Sequence, residues 1–181
     1  DPAKIVVLIS GSGSNLQALI DAIAAGSIDA QIAGVICNNA QAYGLKRAKS
    51  ANIPTHIIKH SEFASREQFD QALISCIDQY QPHLVILAGF LRILSSQFVQ
   101  YYLGRLVNIH PSLLPKYPGL NTHRRALEAG DTQHGASVHY VTENLDAGPV
   151  ILQAVVSILT DDNEQRLAQK TLTQEHRIYP L

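Results

Sequence analysis

Apolar residues in the first half of the chain form short continuous runs, and stretches with helical spacing separate them. Lys4–Ile9 is a β-branched apolar run, too short for a helix and closed by Ser10-Gly11, which predicts a buried strand. Over Ser14–Ala25, Leu16, Leu19, Ile20 and Ile23 repeat at the interval of one helix face, and Gly26 ends the pattern. The alternation then continues with a strand over Ala30–Cys37, a helix over Ala42–Ala51 and a short strand over Thr55–Ile58. A helix over Ser65–Tyr80 carries Phe69, Leu73, Cys76 and Ile77 on one face, and Leu84–Ala88 is a fourth apolar strand. Strand–helix alternation with buried strands calls for right-handed crossovers, which cover both faces of a parallel sheet with helices.

The second half is less regular. Its pattern predicts a helix over Ser95–Tyr101 and a strand over Leu106–Ile109 leading into a Pro-rich stretch, Pro111–Pro118. A helix over Thr122–Ala129 follows, then strands over Ala136–Thr142 and Val150–Val156 flanking a turn at Asn144–Gly148. Asn163–Leu181 reads as a closing helix that still carries Leu172, Ile178, Tyr179 and Leu181 where the chain stops. Helices seldom end in mid-stripe without a cap, so a further C-terminal segment is expected. The predicted fold class is α/β and Rossmann-like: an N-terminal parallel sheet with helices on both faces, extended by C-terminal strands and a long final helix. No repeat, linker or low-complexity tract interrupts it, so residues 1–181 are read as a single domain.

Composition narrows the function. A chain of 181 residues suits one domain, and 46% hydrophobic against 16% charged residues excludes a disordered chain. Fourteen basic and fifteen acidic side chains leave a net charge of −1, which argues against a broad nucleic-acid or anionic-membrane surface but not against a local anion site. No apolar run approaches the ~20 residues that span a bilayer, and no signal-peptide pattern opens the chain. Cys37 and Cys76 are the only cysteines and form no Cys-x-x-Cys pair, so neither a disulfide framework nor a thiolate zinc site is expected. These features predict a cytoplasmic protein.

Four clusters can carry chemistry. In Ser10-Gly11-Ser12-Gly13-Ser14-Asn15, between the first strand and helix, two glycines let backbone approach a ligand at a helix N-terminus, where N–H groups and the dipole favour an anion. Leu16 stands where a dinucleotide fingerprint has its third glycine, the second strand ends in Cys37-Asn38-Asn39 with no acidic residue, and no Walker lysine is present. A single phosphate fits better than NAD or ATP; a plain tight turn with a Ser N-cap is the competing reading. The second cluster is Asn108-Ile109-His110, two polar side chains on one face of a strand end, stiffened beyond by prolines. An amide there can polarise a carbonyl and an imidazole can move a proton near neutral pH; a strand-end histidine bonded to backbone is the alternative. The third is Ser137-Val138-His139 followed by Asp146-Ala147-Gly148-Pro149. His139 reads as structural, and Asp146 as a turn-former unless the fold sets its carboxylate beside His110. Last, Ala88–Leu94 at the carboxyl end of the fourth strand presents apolar residues and Arg92 where open α/β sheets bind ligands, although a helix entry with an exposed Arg is as good a reading. Eight histidines with no His-x-x-Glu-His or facial-triad spacing make a metal site the weaker choice.

Together these clusters resemble the folate-dependent glycinamide ribonucleotide formyltransferases, a likeness that runs from Ile5 to Leu181. It rests on Ile9–Leu16, Leu87–Leu94, Asn108–Gly119, Thr122-His123-Arg124, Leu145–Pro149 and Gln174-Glu175-His176. The resemblance implies transfer of a formyl group from 10-formyltetrahydrofolate to the glycyl amine of 5′-phosphoribosylglycinamide in purine biosynthesis, without a metal. Its catalytic trio falls on Asn108, His110 and Asp146. The amine attacks the formyl carbon; Asn108 would donate to the developing oxyanion, His110 would stabilise it and supply the leaving group's proton, and Asp146 would hold His110. By the same likeness, phosphoribosylglycinamide would contact Gly13, Ser14, Asn15 and Glu175. The folate would lie against Leu91, Arg92, Ile93, Leu94 and Asn108 and the loop Thr142, Glu143, Asn144, Leu145, Asp146, with Arg66 near its glutamate tail. Ala147 departs from the family, which commonly has a second glycine there. The implied partners are small-molecule substrates, not nucleic acid or membrane, for a monomer or homodimer. Rival readings are a formyltetrahydrofolate deformylase, which carries an additional N-terminal domain, a methionyl-tRNA formyltransferase, which needs a further domain and a basic surface, and a non-catalytic phosphometabolite-binding module.

Overall fold

The computed structural model describes residues 3–26, 28–90, 94–142 and 148–178. Its contacts fall into two compact units, Asp1–Val107 and Asn108–Leu181.

In the first unit, strand β1 (Ala3–Ile9) leads into helix α1 (Ser14–Ala24), β2 (Ala30–Cys37), α2 (Gly44–Ser50) and β3 (Thr55–Ile57). A single 3-10 turn at His60–Glu62 precedes α3 (Arg66–Asp78), β4 (Leu84–Leu87) and α4 (Ser96–Tyr101), and β5 (Leu106–His110) begins here. The strands stand in the order β3-β2-β1-β4-β5. β1 pairs in parallel with both β2 and β4, and β2 with β3, as unbroken apolar strands joined by helices require. Val6, Val7, Leu8 and Ile9 are fully enclosed, packed among Leu16, Val35, Leu73 and Ile77 from the same core. Ser65 caps α3 by accepting from the Gln68 N–H at 3.2 Å, and Ser95 caps α4 through the Phe98 N–H at 3.3 Å. The buried Asp70 carboxylate accepts from the Ser95 N–H at 2.6 Å and so ties the start of α4 to α3. α2 starts two residues later than the periodicity predicts. The Gly44 N–H, which as a helix-start donor has no partner within the helix, donates to the Gly11 carbonyl at 3.0 Å.

In the second unit the end of β5 is followed by α5 (Thr122–Glu128), β6 (Gln133–Tyr140), β7 (Val150–Ser157) and α6 (Glu164–Ile178), and the strands stand in the order β5-β6-β7. β6 and β7 are antiparallel, with Ala136 opposite Ala154 and Val138 opposite Leu152. α6 packs on both strands and on α5. Ala126, Val156 and Leu167 form a buried cluster, and Tyr117, Leu127 and Ile158 close over it. Asn163 caps α6 by accepting from the Arg166 N–H at 2.8 Å. Parallel pairing of β1 with β2 and β4 and of β2 with β3 in the first unit, and the antiparallel β6–β7 pair in the second, give the α/β, Rossmann-like class that the pattern predicts. β6 begins three residues earlier than predicted and ends two earlier. Among the described residues no helix is long and apolar enough to cross a membrane.

Candidate active site

Gly13 is the N-cap of α1, in the left-handed region at φ 72°, and the cap makes no side-chain hydrogen bond. The competing reading of this turn required a Ser N-cap, and the structure puts glycine there instead. A Cβ at Gly13 would lie 2.7 Å from the Gly44 Cα, so the backbones of the two glycines touch and only hydrogen fits between them. The Arg47 side chain locks the same turn by donating from Nε to the Ser12 carbonyl at 2.7 Å. Ser14 is half-buried and Asn15 buried behind it in the first turn of α1. This is a braced, side-chain-free helix start of the kind that accepts a phosphate. In the same unit Arg66 is exposed at the first position of α3, and Leu94 is half-buried just before α4. Leu91, Arg92 and Ile93 lie outside the described residues.

In the second unit Asn108 and His110 share one side of β5, Asn108 half-buried and His110 only 5% exposed. Nε2 of His110 is 2.7 Å from the Tyr117 carbonyl oxygen. That oxygen only accepts, so Nε2 carries the hydrogen in the neutral ring. The segment after β5 is fastened at several points. Ser112 Oγ donates to the Lys116 carbonyl at 2.6 Å, Thr122 Oγ1 to the Pro111 carbonyl at 2.6 Å, and Ser137 Oγ to the Ser112 carbonyl at 2.8 Å. Gln153 Nε2 donates both to the Leu114 carbonyl at 3.0 Å and to Ser137 Oγ at 2.9 Å.

Ser137 and His139 do share a strand face, and both are buried. Ser137 serves as a fastener for the loop beyond His110, while His139 Nδ1 lies 3.0 Å from the Tyr140 carbonyl, the structural role expected of it. Thr142 is half-buried after β6, and Glu175 is buried on α6. Glu143, Asn144, Leu145 and Asp146 lie outside the described residues, so the expected partnership of Asp146 with His110 stays a sequence-based expectation. Among the described residues no group of three or more His, Cys, Asp or Glu side chains is placed to hold a metal ion.

A contact between two histidines beside this site escaped the sequence reading. Nδ1 of His123 on α5 lies 3.1 Å from Nε2 of His134 on β6, and His134 is 1% exposed. Burial first, and then the neighbouring His123 and His110, push the His134 pKa down to about 4, against the opposing pull of the Asp131 carboxylate and the Pro111 carbonyl. His123 is also lowered, chiefly by burial, with Glu164 opposing. The only signal in the sequence was a histidine in the first turn of α5 and another at the second position of β6, which does not by itself imply contact.

Comparison with known proteins decides the family. Residues 3–181 match the formyl transferase family, and the match spans both units. The chain belongs to the formyl transferase family. It is 59% identical over 178 residues to the phosphoribosylglycinamide formyltransferase of Escherichia coli strain K12, covering 98% of this chain and 84% of that protein. It is 46% identical to the human trifunctional purine biosynthetic protein adenosine-3, where the same 98% of this chain covers 18% of a much longer protein. Among solved structures, the phosphoribosylglycinamide formyltransferase from Coxiella burnetii in complex with CHES superposes with a TM-score of 0.96 at 58% identity, covering 99% of this chain and 84% of that one. The resemblance that the motifs carry is thereby established for the family and the fold.

Proposed function

We propose that this chain transfers a formyl group from 10-formyltetrahydrofolate to the glycyl amine of 5′-phosphoribosylglycinamide, a one-carbon step of purine biosynthesis. The observation that carries the reading is a formyl transferase chain with Asn108 and His110 side by side at the end of β5, the imidazole held in one tautomer by the Tyr117 carbonyl.

The reaction sets each residue a task. The glycyl amine attacks the formyl carbon, the carbonyl oxygen gains negative charge, and the folate nitrogen leaves only once it is protonated. Asn108 donates a hydrogen bond to the charged oxygen, and His110 delivers the proton. Asp146 stabilises the imidazolium. Gly13, Ser14 and Asn15 take the phosphoribosyl end at the start of α1, where the absence of a side chain at Gly13 fits an anion against backbone N–H groups. Glu175 meets the glycinamide portion. The folate ring lies against Leu91–Leu94 and Thr142–Asp146, with Arg66 at the glutamate tail. The chain works on small molecules in the cytoplasm, as a monomer or homodimer, and the chemistry proceeds without a metal.

The test is loss of 10-formyltetrahydrofolate, with and without phosphoribosylglycinamide. Formyl transfer requires both compounds and yields the formylated nucleotide. Consumption of the folate without the nucleotide would make the protein a deformylase, and binding of the nucleotide with no consumption would make it a binding module.

A further inference from the structure

The Tyr117 carbonyl that holds His110 occupies a costly position. Tyr117 has φ 53°, the left-handed region, which is strained for a residue with a side chain and persists only where the surroundings enforce it. Those surroundings are specific. The Tyr117 hydroxyl donates to the Asp131 carboxylate, across the loop, the length of α5 and its C-terminal turn. The Tyr117 ring packs on the cluster of Ala126, Val156 and Leu167. The Arg125 guanidinium lies 5.2 Å above the ring centre and donates to the Pro118 carbonyl at 2.6 Å and the Leu120 carbonyl at 3.2 Å. The side chain of Tyr117 is therefore an anchor, and its backbone oxygen is what the anchor aims.

We propose that Tyr117 and Asp131 are positioning residues for His110: their hydrogen bond fixes the Tyr117 peptide so that its carbonyl keeps hydrogen on Nε2 and holds the imidazole in one orientation. The inference rests on the reading of His110 as the proton-transferring group, and its failure is separable from the failure of that reading. Without the phenol–carboxylate bond the strained peptide relaxes toward negative φ, its carbonyl turns, and the imidazole loses both its tautomer preference and its orientation.

Tyr117→Phe removes one oxygen and keeps the ring. The expected result is a kcat about ten- to a hundredfold lower, the loss typical of a misaligned reacting group, with KM for phosphoribosylglycinamide within about twofold. Asp131→Ala behaves alike, and Asp131→Asn, whose amide oxygen still accepts from the phenol, recovers most of kcat. Nitrogen NMR of the neutral His110 ring reports the Nε2–H tautomer in the unaltered protein and a tautomer mixture in Tyr117→Phe. A folded Tyr117→Phe protein with unchanged kcat overturns the proposal, as does an Nδ1–H ring in the unaltered protein. Should Tyr117→Phe not fold, the Asp131→Ala and Asp131→Asn pair and the tautomer measurement decide it. If His110→Ala retains full turnover, the functional reading fails instead, whatever the tautomer.

Discussion

Acidification strikes this protein through His134. The imidazole is 1% exposed, and its pKa is pushed from 6.5 to about 4 by burial and by His123 and His110 around it. In the unfolded chain the ring takes up a proton near pH 6.5; in the folded protein it refuses one until about pH 4. Between those values the unfolded state holds more protons, so stability is full above pH 6.5, declines as the pH falls, and levels off below about 4. At ~1.4 kcal/mol for each tenfold change, His134 alone removes roughly 2 kcal/mol between pH 7 and pH 5, a large part of an ordinary folding free energy. His123, also lowered by burial, acts in the same direction. Replacing His134 with Gln keeps a polar side chain and abolishes the titration. Urea unfolding at pH 5, 6 and 7, followed by circular dichroism and by the fluorescence of the seven tyrosines, measures both proteins. His134→Gln is expected to be weaker at pH 7 through lost packing, yet to lose about 2 kcal/mol less than the unaltered protein on going to pH 5. Equal losses in the two proteins would refute the argument.

Replacing His110 with Ala should lower turnover by ~10²–10⁴, the worth of a proton-transfer residue, with nucleotide affinity nearly intact; turnover within a few-fold of normal would remove His110 from that role. Gly13→Val sets a branched side chain at φ 72° and against the Gly44 Cα, so it should abolish tight binding of phosphoribosylglycinamide while folate affinity holds, as read by calorimetry. Normal nucleotide affinity in a folded Gly13→Val protein would end the phosphate-loop assignment. Asp146→Asn preserves size and turn-forming ability but removes the charge, so turnover should drop steeply with little change in thermal stability; near-normal turnover would return Asp146 to a simple turn role.

Much of the first unit was legible because its strands are buried on both faces and therefore apolar without interruption, as in Val6–Ile9 and Val35–Cys37, while the helices between them carry one apolar stripe. The reading faltered where tertiary bonds override local pattern. α2 starts two residues late, and no periodicity encodes the bond from its first N–H to the Gly11 carbonyl. β6 starts early because Gln133, His134 and Gly135 look polar or flexible in sequence, although His134 is enclosed with His123 and a Cβ at Gly135 would sit 1.9 Å from the Ala154 carbonyl. In the site, Asn108 and His110 were visible because strand alternation sets i and i+2 on one side. Tyr117 was not: it acts through a carbonyl, which every residue possesses, in a conformation that a tyrosine seldom takes. Ser137 drew notice as a possible partner in chemistry, and its part as a loop fastener depends on Gln153, sixteen residues on.

That fastening has a consequence for when the site comes into being. The Ser112 carbonyl waits for a hydroxyl 25 residues downstream, and the Leu114 carbonyl for an amide 39 residues downstream. On the ribosome, His110 emerges well before either, so a nascent chain halted at the end of α5 contains the Asn-x-His sequence without the bonds that Ser137 and Gln153 make to the segment beyond it. The strand end with Asn108 and His110 thus gains these two fastenings only once the β6–β7 hairpin has closed. A stalled or cleaved chain lacking that hairpin carries the motif intact without them and is expected to be inactive.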